Sequence, residues 1–237
     1  MSFVRTIVER LARGRIVWRT LPNGVRIAAS PDAQLKYLAG RFDEDLIELA
    51  RRSVSPGMIV WDIGANCGTF AFSCDLAAQV VAVEADPFLV TLLRRSAAGA
   101  RVPVSVLEAA VSDTVGTAEF SVAARGRASN HLTVVAGYSQ SGGERSRVEV
   151  RTVTLDSMID EWGRPDFIKM DIEGAEQMAL KGAERLLSEV RPAIYLEVSD
   201  ETQASLRTTL EQAHYAIEER GGNWLAVPMP GASGLAA

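Results

Sequence analysis

The chain has 237 residues, 47% hydrophobic and 23% charged, an ordinary globular composition at a length that suits one large α/β domain. It carries 25 Lys and Arg against 30 Asp and Glu, a formal charge of −5; this gives no overall basic field, so we expect no nucleic-acid partner. No window approaches the roughly 18 uncharged apolar residues of a transmembrane helix, and Arg5, Glu9 and Arg10 interrupt any signal-peptide core.

The N-terminal segment, residues 1–56, is expected to pack on the rest of the domain. Residues 1–13 have an amphipathic pattern that predicts a short helix. An antiparallel hairpin is predicted over residues 15–30, because Asn23-Gly24 is a strong hairpin turn signal. A second amphipathic helix follows and ends at Ser55-Pro56-Gly57.

Apolar runs alternate with helical stretches in the next part of the chain, as a parallel α/β sheet requires. Strands are predicted at Met58–Ile63, Val80–Val83 and Val102–Leu107, and helices at Thr69–Ala78 and Pro87–Ala98. Strands that are apolar throughout are typical of a sheet covered on both faces.

The alternation lapses over the middle of the chain. Gly116–Val122 and Arg147–Val153 alternate apolar and polar residues and are predicted as strands. Residues 123–146 between them are rich in Gly, Ser and Arg and have no clear period. A segment of this kind is either functional or a tolerated surface insertion, and we treat it as a candidate substrate lid.

The last part returns to the α/β pattern and completes a catalytic domain predicted over residues 57–227. Its elements are strands at Phe167–Met170 and Ala193–Val198, helices at Gly174–Leu187 and Glu201–Ala213, and a terminal strand pair at Tyr215–Glu218 and Asn223–Val227. The tail, residues 228–237, is expected to be frayed. The fold class is therefore α/β, a three-layer doubly wound sheet with a small N-terminal extension.

Two cysteines, Cys67 and Cys74, are expected to be free. On a helix they would lie roughly 10 Å apart, too far for a disulfide, and no His or Cys stands near them at zinc-ligand spacing. Free buried thiols are typical of a reducing compartment, so we expect a cytoplasmic location.

The most informative stretch is a glycine turn between a strand and a helical segment. It reads Asp62-Ile63-Gly64-Ala65-Asn66-Cys67-Gly68. Glycines permit close backbone approach, and such turns bind nucleotide-like ligands in open α/β sheets. A dinucleotide fingerprint would need glycines where Asn66 and Thr69 stand. The form is instead similar to the Asp/Glu-x-Gly-x-Gly-x-Gly of class I methyltransferases, whose S-adenosylmethionine has no pyrophosphate.

A carboxylate ends the second strand of the domain. Glu84 stands twenty residues after Gly64, where an acid accepts hydrogen bonds from ribose hydroxyls. NAD sites also use an acid here, so Glu84 indicates a ribose without identifying the cofactor. After the third strand, Glu108, Ala109 and Ala110 are expected along the adenine edge.

Four motifs together resemble the FkbM family of methyltransferases. They are the glycine turn, Glu84-Ala85-Asp86-Pro87, Thr154-Leu155-Asp156, and the most specific one, Ile168-Lys169-Met170-Asp171-Ile172-Glu173-Gly174-Ala175-Glu176. Their order and spacing match over about residues 35–227. Glu-Pro-Asn-Pro is commoner in the family than Glu84-Ala85-Asp86-Pro87, a departure that keeps the ribose acid and changes the residues expected on the adenine side.

The resemblance implies a class I, Rossmann-like, seven-stranded sheet with a reversed last strand. It also implies O-methylation of hydroxyls on sugars, polysaccharides or polyketide-type natural products with S-adenosylmethionine as cofactor. The residues assigned to the cofactor are Asp62, Gly64, Ala65, Asn66, Gly68, Glu84, Ala85, Glu108, Ala109, Ala110 and Asp171. The expected partner is a small-molecule or carbohydrate acceptor, and a homodimer is left open.

Methyl transfer to an aliphatic hydroxyl calls for an aligned acceptor and a base or a metal ion, because such a hydroxyl is a poor nucleophile. Asp171 closes the fourth core strand and is the leading base; Glu173 and the lid residue His131 are further candidates. Asp171 with Glu197 would alternatively bind a hard cation such as Mg²⁺. Lys169, inside an apolar strand, should have a charged partner.

Each of these residues also has a structural alternative. Asp171 and Glu173 would complement a helix N-terminus, Glu176 would be solvated or capping, and His131 would be a surface residue. Two other functions use the same sheet, an NAD-linked oxidoreductase and a non-catalytic cofactor-binding module. The missing glycines count against the first, and the intact motifs count against the second.

Overall fold

The structure, a computed structural model, describes residue 8 and residues 11–124, 126–134 and 143–231. Most of the helix predicted over residues 1–13, the middle of the candidate lid and the end of the tail lie outside these residues. Within the described ranges, no helix is long and apolar enough to cross a membrane.

The elements follow the sequence pattern closely at most positions. The strands are β1 Val17–Thr20, β2 Arg26–Ala29, β3 Ile59–Ile63, β4 Gln79–Glu84, β5 Val104–Glu108, β6 Ala110–Val111, β7 Gly116–Ala123, β8 His131–Leu132, β9 Glu144–Val153, β10 Phe167–Met170, β11 Ala193–Glu197, β12 Tyr215–Arg220 and β13 Asn223–Pro228. The α-helices are α1 Glu44–Ser53, α2 Pro87–Ala97, α3 Leu155–Trp162, α4 Glu176–Lys181 and α5 Gln203–Gln212.

A seven-stranded sheet forms the centre of the fold, in the order β12-β13-β11-β10-β3-β4-β5. Strands β3, β4, β5, β10 and β11 run parallel, whereas β13 runs antiparallel to both of its neighbours. The doubly wound sheet with a reversed last strand is therefore confirmed. The carboxyl ends of the parallel strands meet at one edge, where open sheets of this kind bind ligands.

Both faces of this sheet are covered by apolar cores. Successive side chains of a strand point to opposite sides, so one strand contributes to both cores. Trp61 and Ile63 belong to the apolar core on one face, while Val60 belongs to the core on the other. Leu21 and Ile27 of the N-terminal hairpin are part of the second core. The N-terminal hairpin thus contributes to the core on this face of the sheet.

A second, four-stranded sheet has the order β6-β9-β7-β8 and contains both strands predicted around the candidate lid. Strand β7 continues to Ala123 and β9 begins at Glu144, so each reaches further than its sequence pattern indicated. The described part of the segment between them holds a short turn, Arg127–Ser129, and strand β8. Residues 125 and 135–142 lie outside the described residues.

The helix predicted at Thr69–Ala78 is wrong. Only the short 3₁₀ turn Ala71–Ser73 forms. The carbonyls of Thr69 and Phe70 accept hydrogen bonds from the side chains of Ser73 and Cys74. Such side-chain bonds compete with the backbone bonds of a longer helix. Both cysteines are buried and free, as expected.

The helix predicted at Gly174–Leu187 is broken into two. Helix α4 ends at Lys181 and is followed by Gly182, where a Cβ would lie 2.7 Å from the carbonyl oxygen of Ser112. A second helical segment then begins, and the carboxylate of Asp156 accepts from the backbone N–H of Arg185 and Leu186 at its start. Asp156 of the third family motif therefore caps a helix, satisfying N–H groups that have no partner within the helix.

Candidate active site

The glycine turn lies at the carboxyl end of β3 and is held by its neighbouring strand. The backbone N–H groups of Gly64 and Ala65 both donate to the carbonyl of Val83 on β4. Gly64 has φ +75°, and a Cβ there would overlap the carbonyl oxygen of Asp171. Glycine is therefore required at this position both by backbone conformation and by close approach.

Gly68, at the other end of the turn, has a packing role in the structure. It has φ +86°, and a Cβ there would meet the ring of Phe72 and the side chain of Leu93. Like Cys67, and unlike the residues from Asp62 to Asn66, it is not among the residues that line the pocket described below.

A buried ion pair lies beneath the turn. The Nζ atom of Lys169 is 3.2 Å from a carboxylate oxygen of Asp62, 3.8 Å from one of Asp171, and donates to the carbonyl of Gly64 at 2.9 Å. Burial lowers the pKa of Lys169, but the charges of Asp62 and Asp171 outweigh this effect and raise the pKa above its usual value. Lys169 therefore has the charged partner that its place in an apolar strand predicts.

Glu84 ends β4 and is 8% exposed. Its carboxylate accepts from the backbone N–H of Asn66 at 2.8 Å and of Asp86 at 2.9 Å. Burial raises the pKa of Glu84 to about 7, although the N–H groups of Asp86 and Asn66 act in the opposite direction. The glycine turn and Glu84 are thus joined directly.

A pocket opens above these groups at the carboxyl edge of the sheet. Counted out to its open mouth, it has a volume of about 910 Å³. The sequence-predicted residues that line it are Asp62, Gly64, Ala65, Asn66, Glu84, Ala85, Ala109, Ala110, Asp171 and Glu173. Its far end is apolar, since Phe120 and Leu132 of the second sheet pack there with Ala85 and Ala110.

Glu108 does not line the pocket, although its neighbours Ala109 and Ala110 do. It is the register partner of Glu84 on the adjacent strand, but its side chain is 43% exposed and pairs with Arg94 at 3.0 Å. The adenine-edge contact of Glu108 stays a prediction for its backbone, because its carboxylate is turned toward helix α2 and solvent.

His131 does not face the pocket either. Its neighbour Leu132 is 3% exposed and lines the pocket, and successive side chains of a strand point to opposite sides. The Nδ1 atom of His131 lies 3.2 Å from the carbonyl of Ser129. Strand β8 thus directs His131 away from the groups expected at the methyl, which contradicts its candidacy as a base.

Three carboxylates meet where β10 and β11 end. Ligand oxygens of Asp171, Glu173 and Glu197 all lie within 4.8 Å of one another. Burial, with added repulsion from Glu197 and Glu176, raises the pKa of Glu173 to about 8. Burial and the charge of Asp171 raise the pKa of Glu197 to about 7. Because the three carboxylates repel one another, the cluster favours the binding of protons or of a cation.

Glu176 belongs to none of these groups. Its carboxylate is buried and accepts from the backbone N–H of Ile172 at 2.9 Å. The alternative of a solvated side chain is therefore wrong, and the carboxylate instead holds the turn that precedes helix α4.

A second groove adjoins the pocket on the side of Asp171. The two share Gln34, Asp43, Leu46, Lys169, Asp171 and Glu173. The groove's remaining acidic residues are Asp45, Glu48 and Glu197, and its remaining basic residues are Arg52 and Arg220. Both arginines are already paired with carboxylates of their own, Arg52 with Glu48 and Arg220 with Glu218. The groove is therefore acidic.

Several pocket residues could not be predicted from sequence. Arg127, Asn130 and Leu132 come from the candidate lid, and Phe120 comes from the strand before it. No local motif marks them. The three lid residues share one signal, their position in a segment that is long for a connection in a compact domain.

The sequence of this chain matches the model of the methyltransferase FkbM domain over residues 62–217. Among curated proteins, it is 26% identical over 203 residues to the hexuronic acid methyltransferase AglP of Haloferax volcanii, covering 78% of this chain and 80% of that protein. It is 28% identical over 193 residues to the 31-O-demethyl-FK506 methyltransferase FkbM of Streptomyces tacrolimicus, covering 69% and 74%.

Among solved structures, the chain is similar to methyltransferase FkbM from Methylobacillus flagellatus KT, with a TM-score of 0.52 and 20% sequence identity. The similarity covers 76% of this chain and 47% of that one, so this chain spans about half the length of that protein. At this identity the likeness concerns the fold.

Proposed function

The chain belongs to the FkbM family of methyltransferases, and from this membership we propose that it uses S-adenosylmethionine to methylate a hydroxyl group of a sugar or polyhydroxylated natural product. One observation carries the proposal: the carboxylate of Glu84 and the turn at Gly64 are hydrogen-bonded to each other at the floor of one pocket. A ribose acid and a close-approach turn are the two elements that an adenosyl ligand needs at this edge.

The groups lining the pocket fit this cofactor. Glu84 would accept from the ribose hydroxyls, and the apolar end at Phe120 and Leu132 would cover the adenine. The backbone of Gly64 and Ala65 would lie against the methionine portion. When bound, the cofactor would supply a methyl group attached to a sulfonium, and the thioether that remains after transfer is a good leaving group.

We assign proton removal from the acceptor hydroxyl to the carboxylate cluster, with Asp171 as the base. Asp171 lines both the pocket and the adjoining groove, so it stands where the two ligands would meet. The ammonium of Lys169, 3.8 Å away, offsets its charge. Glu197, whose pKa is raised to about 7, is placed to receive the proton from Asp171 and pass it to solvent.

A divalent cation is the alternative way to activate the hydroxyl. The oxygens of Asp171, Glu173 and Glu197 have the type and spacing that one hard cation bridges. The negative charge of the same cluster is also offset without a metal, by the ammonium of Lys169 and by protons on Glu173 and Glu197. We therefore keep the protein base as the proposal and test the cation by chelation.

The adjoining groove is proposed as the acceptor site, and its charge favours an acceptor without a negative group. The curated relatives are named for hexuronic acid, which is anionic, and for 31-O-demethyl-FK506. In this chain, a carboxylated acceptor would face the carboxylate of Asp45 and find both groove arginines already paired. Juxtaposed like charges cost affinity, and the paired arginines offer no compensation.

Two measurements test the proposal. Calorimetric titration with S-adenosylhomocysteine should show binding, and titration with NAD should show none. A panel of hydroxylated sugars and natural products, each with its carboxylated counterpart, is then screened for S-adenosylhomocysteine release, with the uncharged members expected to react. Binding of NAD alone would refute the cofactor, and preference for the carboxylated members would refute the acceptor class.

A further inference from the structure

A buried ion network connects the N-terminal segment to the pocket. At its centre is Asp32, which lies ahead of the family-matched residues 62–217 and is 4% exposed. Its carboxylate accepts from the backbone N–H of Gly14 at 3.2 Å, from Arg127 Nε at 3.0 Å, and from both terminal nitrogens of Arg145 at 2.9 and 2.7 Å. A carboxylate with four such donors is held firmly in place.

Arg127 connects Asp32 to the pocket, because it contacts Asp32 and is among the residues that line the pocket. Its guanidinium donates to Asp32 through Nε and to Asp86 through Nη1, and it stacks 4.6 Å from the ring centre of Phe88. A planar guanidinium has the fork geometry to join two carboxylates in this way. One side chain thus spans from the N-terminal segment to the turn after β4.

Asp86 carries the connection on to Glu84. The backbone N–H of Asp86 donates to the Glu84 carboxylate at 2.9 Å. Its own carboxylate accepts from the N–H of Phe88, at the start of α2, and from the amide of Asn130 at 2.7 Å. The position of Asp86 therefore depends on Arg127 and Asn130, and the position of Glu84 depends on Asp86.

The pocket wall over residues 126–132 is fixed by the same contacts. The backbone N–H of Arg127 donates to the carbonyl of Asp32 at 2.9 Å. The side-chain oxygen of Asn130 accepts from the N–H of Ala123 at 2.8 Å. At Gly126 a Cβ would lie 3.1 Å from the carbonyl oxygen of Ala33, so this wall packs closely on the N-terminal segment.

We propose that Asp32 is a positioning residue of the cofactor site: through Arg127 it holds Asp86, Glu84 and the 126–132 wall in the arrangement that receives the adenosyl group. The proposal rests on the cofactor assigned above. Its physical basis is preorganisation, since groups already held in place do not lose freedom on binding. It also makes the N-terminal segment part of the site rather than a cover for the sheet.

Arg145 provides the matched control. It belongs to the same network and contacts Asp32, but it does not line the pocket. The Arg145→Met variant should lower stability by removing a buried partner, while leaving the Asp32–Arg127–Asp86 connection intact. If the network had only a structural role, the Asp32 and Arg145 variants would differ in stability but not in their affinity for the cofactor product.

The experiment compares Asp32→Asn, Arg127→Lys and Arg145→Met by calorimetric titration with S-adenosylhomocysteine and by urea unfolding. Asp32→Asn and Arg127→Lys should each weaken binding by about tenfold or more, because neither leaves two carboxylates bridged. Arg145→Met should stay within about twofold of wild type in binding, with unfolding at lower urea. If Asp32→Asn does not fold, Arg127→Lys decides the question.

The outcomes separate this proposal from the one on which it rests. Wild-type affinity in the Asp32 or Arg127 variant, or equal weakening by Arg145→Met, would overturn the positioning role alone. If the wild-type protein itself does not bind S-adenosylhomocysteine, the cofactor assignment fails and this proposal fails with it.

Discussion

Lys169 and Asp62 are register partners on the adjacent parallel strands β10 and β3, and their charged atoms lie 3.2 Å apart in the interior. One residue comes from the glycine-turn motif and the other from the Lys-x-Asp-x-Glu motif. Register places them on the same face of the sheet. The two motifs are therefore joined by charge as well as by their positions at one edge.

Removing this lysine should strongly destabilise the fold. Lys169→Met leaves the carboxylate of Asp62 buried without its cation, and breaking such a pair costs about 3–5 kcal/mol of unfolding free energy. Urea unfolding followed by circular dichroism measures the loss. Arg185→Met, which breaks an exposed pair with Asp160, is the control and should change little. Equal effects would contradict the structural role of the buried pair.

Glu84 should control cofactor affinity in a pH-dependent way. Glu84→Gln should weaken S-adenosylhomocysteine binding by about 1–3 kcal/mol, because charge-assisted hydrogen bonds are lost. Since burial raises the pKa of Glu84 to about 7, wild-type affinity should fall as pH drops below that value and the carboxylate is protonated. Titrations at several pH values measure both effects.

The control for Glu84 is its register partner. Glu108→Gln should leave affinity and its pH dependence unchanged, because Glu108 pairs with Arg94 outside the pocket. An unaltered dissociation constant for Glu84→Gln would remove Glu84 from the ribose site.

Asp171→Asn should suppress turnover far more than cofactor binding. Loss of a general base lowers the rate by about 10²–10⁴-fold, while the amide keeps the size of the side chain. Rates of S-adenosylhomocysteine release with a reactive acceptor, compared with calorimetric affinities, measure the two effects separately. Asp160→Asn, on a distant surface, should be fully active. A fully active Asp171→Asn enzyme would exclude this residue as the base.

Glu173 should make the folded protein less stable as pH rises. Its pKa is raised from 4.5 to about 8, so between these values the folded state holds a proton that the unfolded chain releases. The unfolding free energy should therefore decrease with pH over this range, in which the unfolded state binds fewer protons. Glu173→Gln imitates the protonated form, so its stability relative to wild type should increase with pH.

Urea unfolding of wild type and Glu173→Gln across this range tests the sign. Glu218, an exposed residue whose pKa is lowered by Arg220, is the contrasting position and should give no such gain on substitution by Gln. A constant difference between Glu173→Gln and wild type would show that Glu173 titrates alike in both states.

Chelation should leave activity unchanged. In the proposed mechanism the carboxylate cluster holds protons, so EDTA treatment followed by desalting should not alter turnover with a reactive acceptor. Loss of activity that Mg²⁺ restores would instead assign Asp171, Glu173 and Glu197 to a cation.

The features that sequence predicts best are those with local causes. Each parallel strand is a short apolar run between turn residues, so β3, β4, β10 and β11 lie close to where the pattern indicates. The turn at Gly64 and the strand-end acid Glu84 follow from their spacing, and both line the pocket. The family motifs are also short local patterns, and their order along the chain identifies the family.

The features that sequence missed depend on contacts between distant residues. Asp32 and Arg127 are 95 positions apart, and nothing near either one marks the other as its partner. The side of strand β8 to which His131 points depends on the register of that strand, because a shift of one residue would turn the side chain to the other side. Helix interruption at Gly182 follows from its packing on Ser112 and Thr154, which belong to separate elements.

The contact of Gly64 with the Asp171 carbonyl has a practical consequence for anyone dissecting this enzyme. A side chain added at Gly64 would displace the strand end that carries the proposed base. A glycine-turn variant would therefore impair two steps at once, and its inactivity could not be attributed to an empty cofactor pocket. Substitution of Glu84, whose carboxylate accepts from the backbone of Asn66 and Asp86 and does not contact the strand end of Asp171 in any hydrogen bond of the described residues, gives the cleaner cofactor-deficient reference protein.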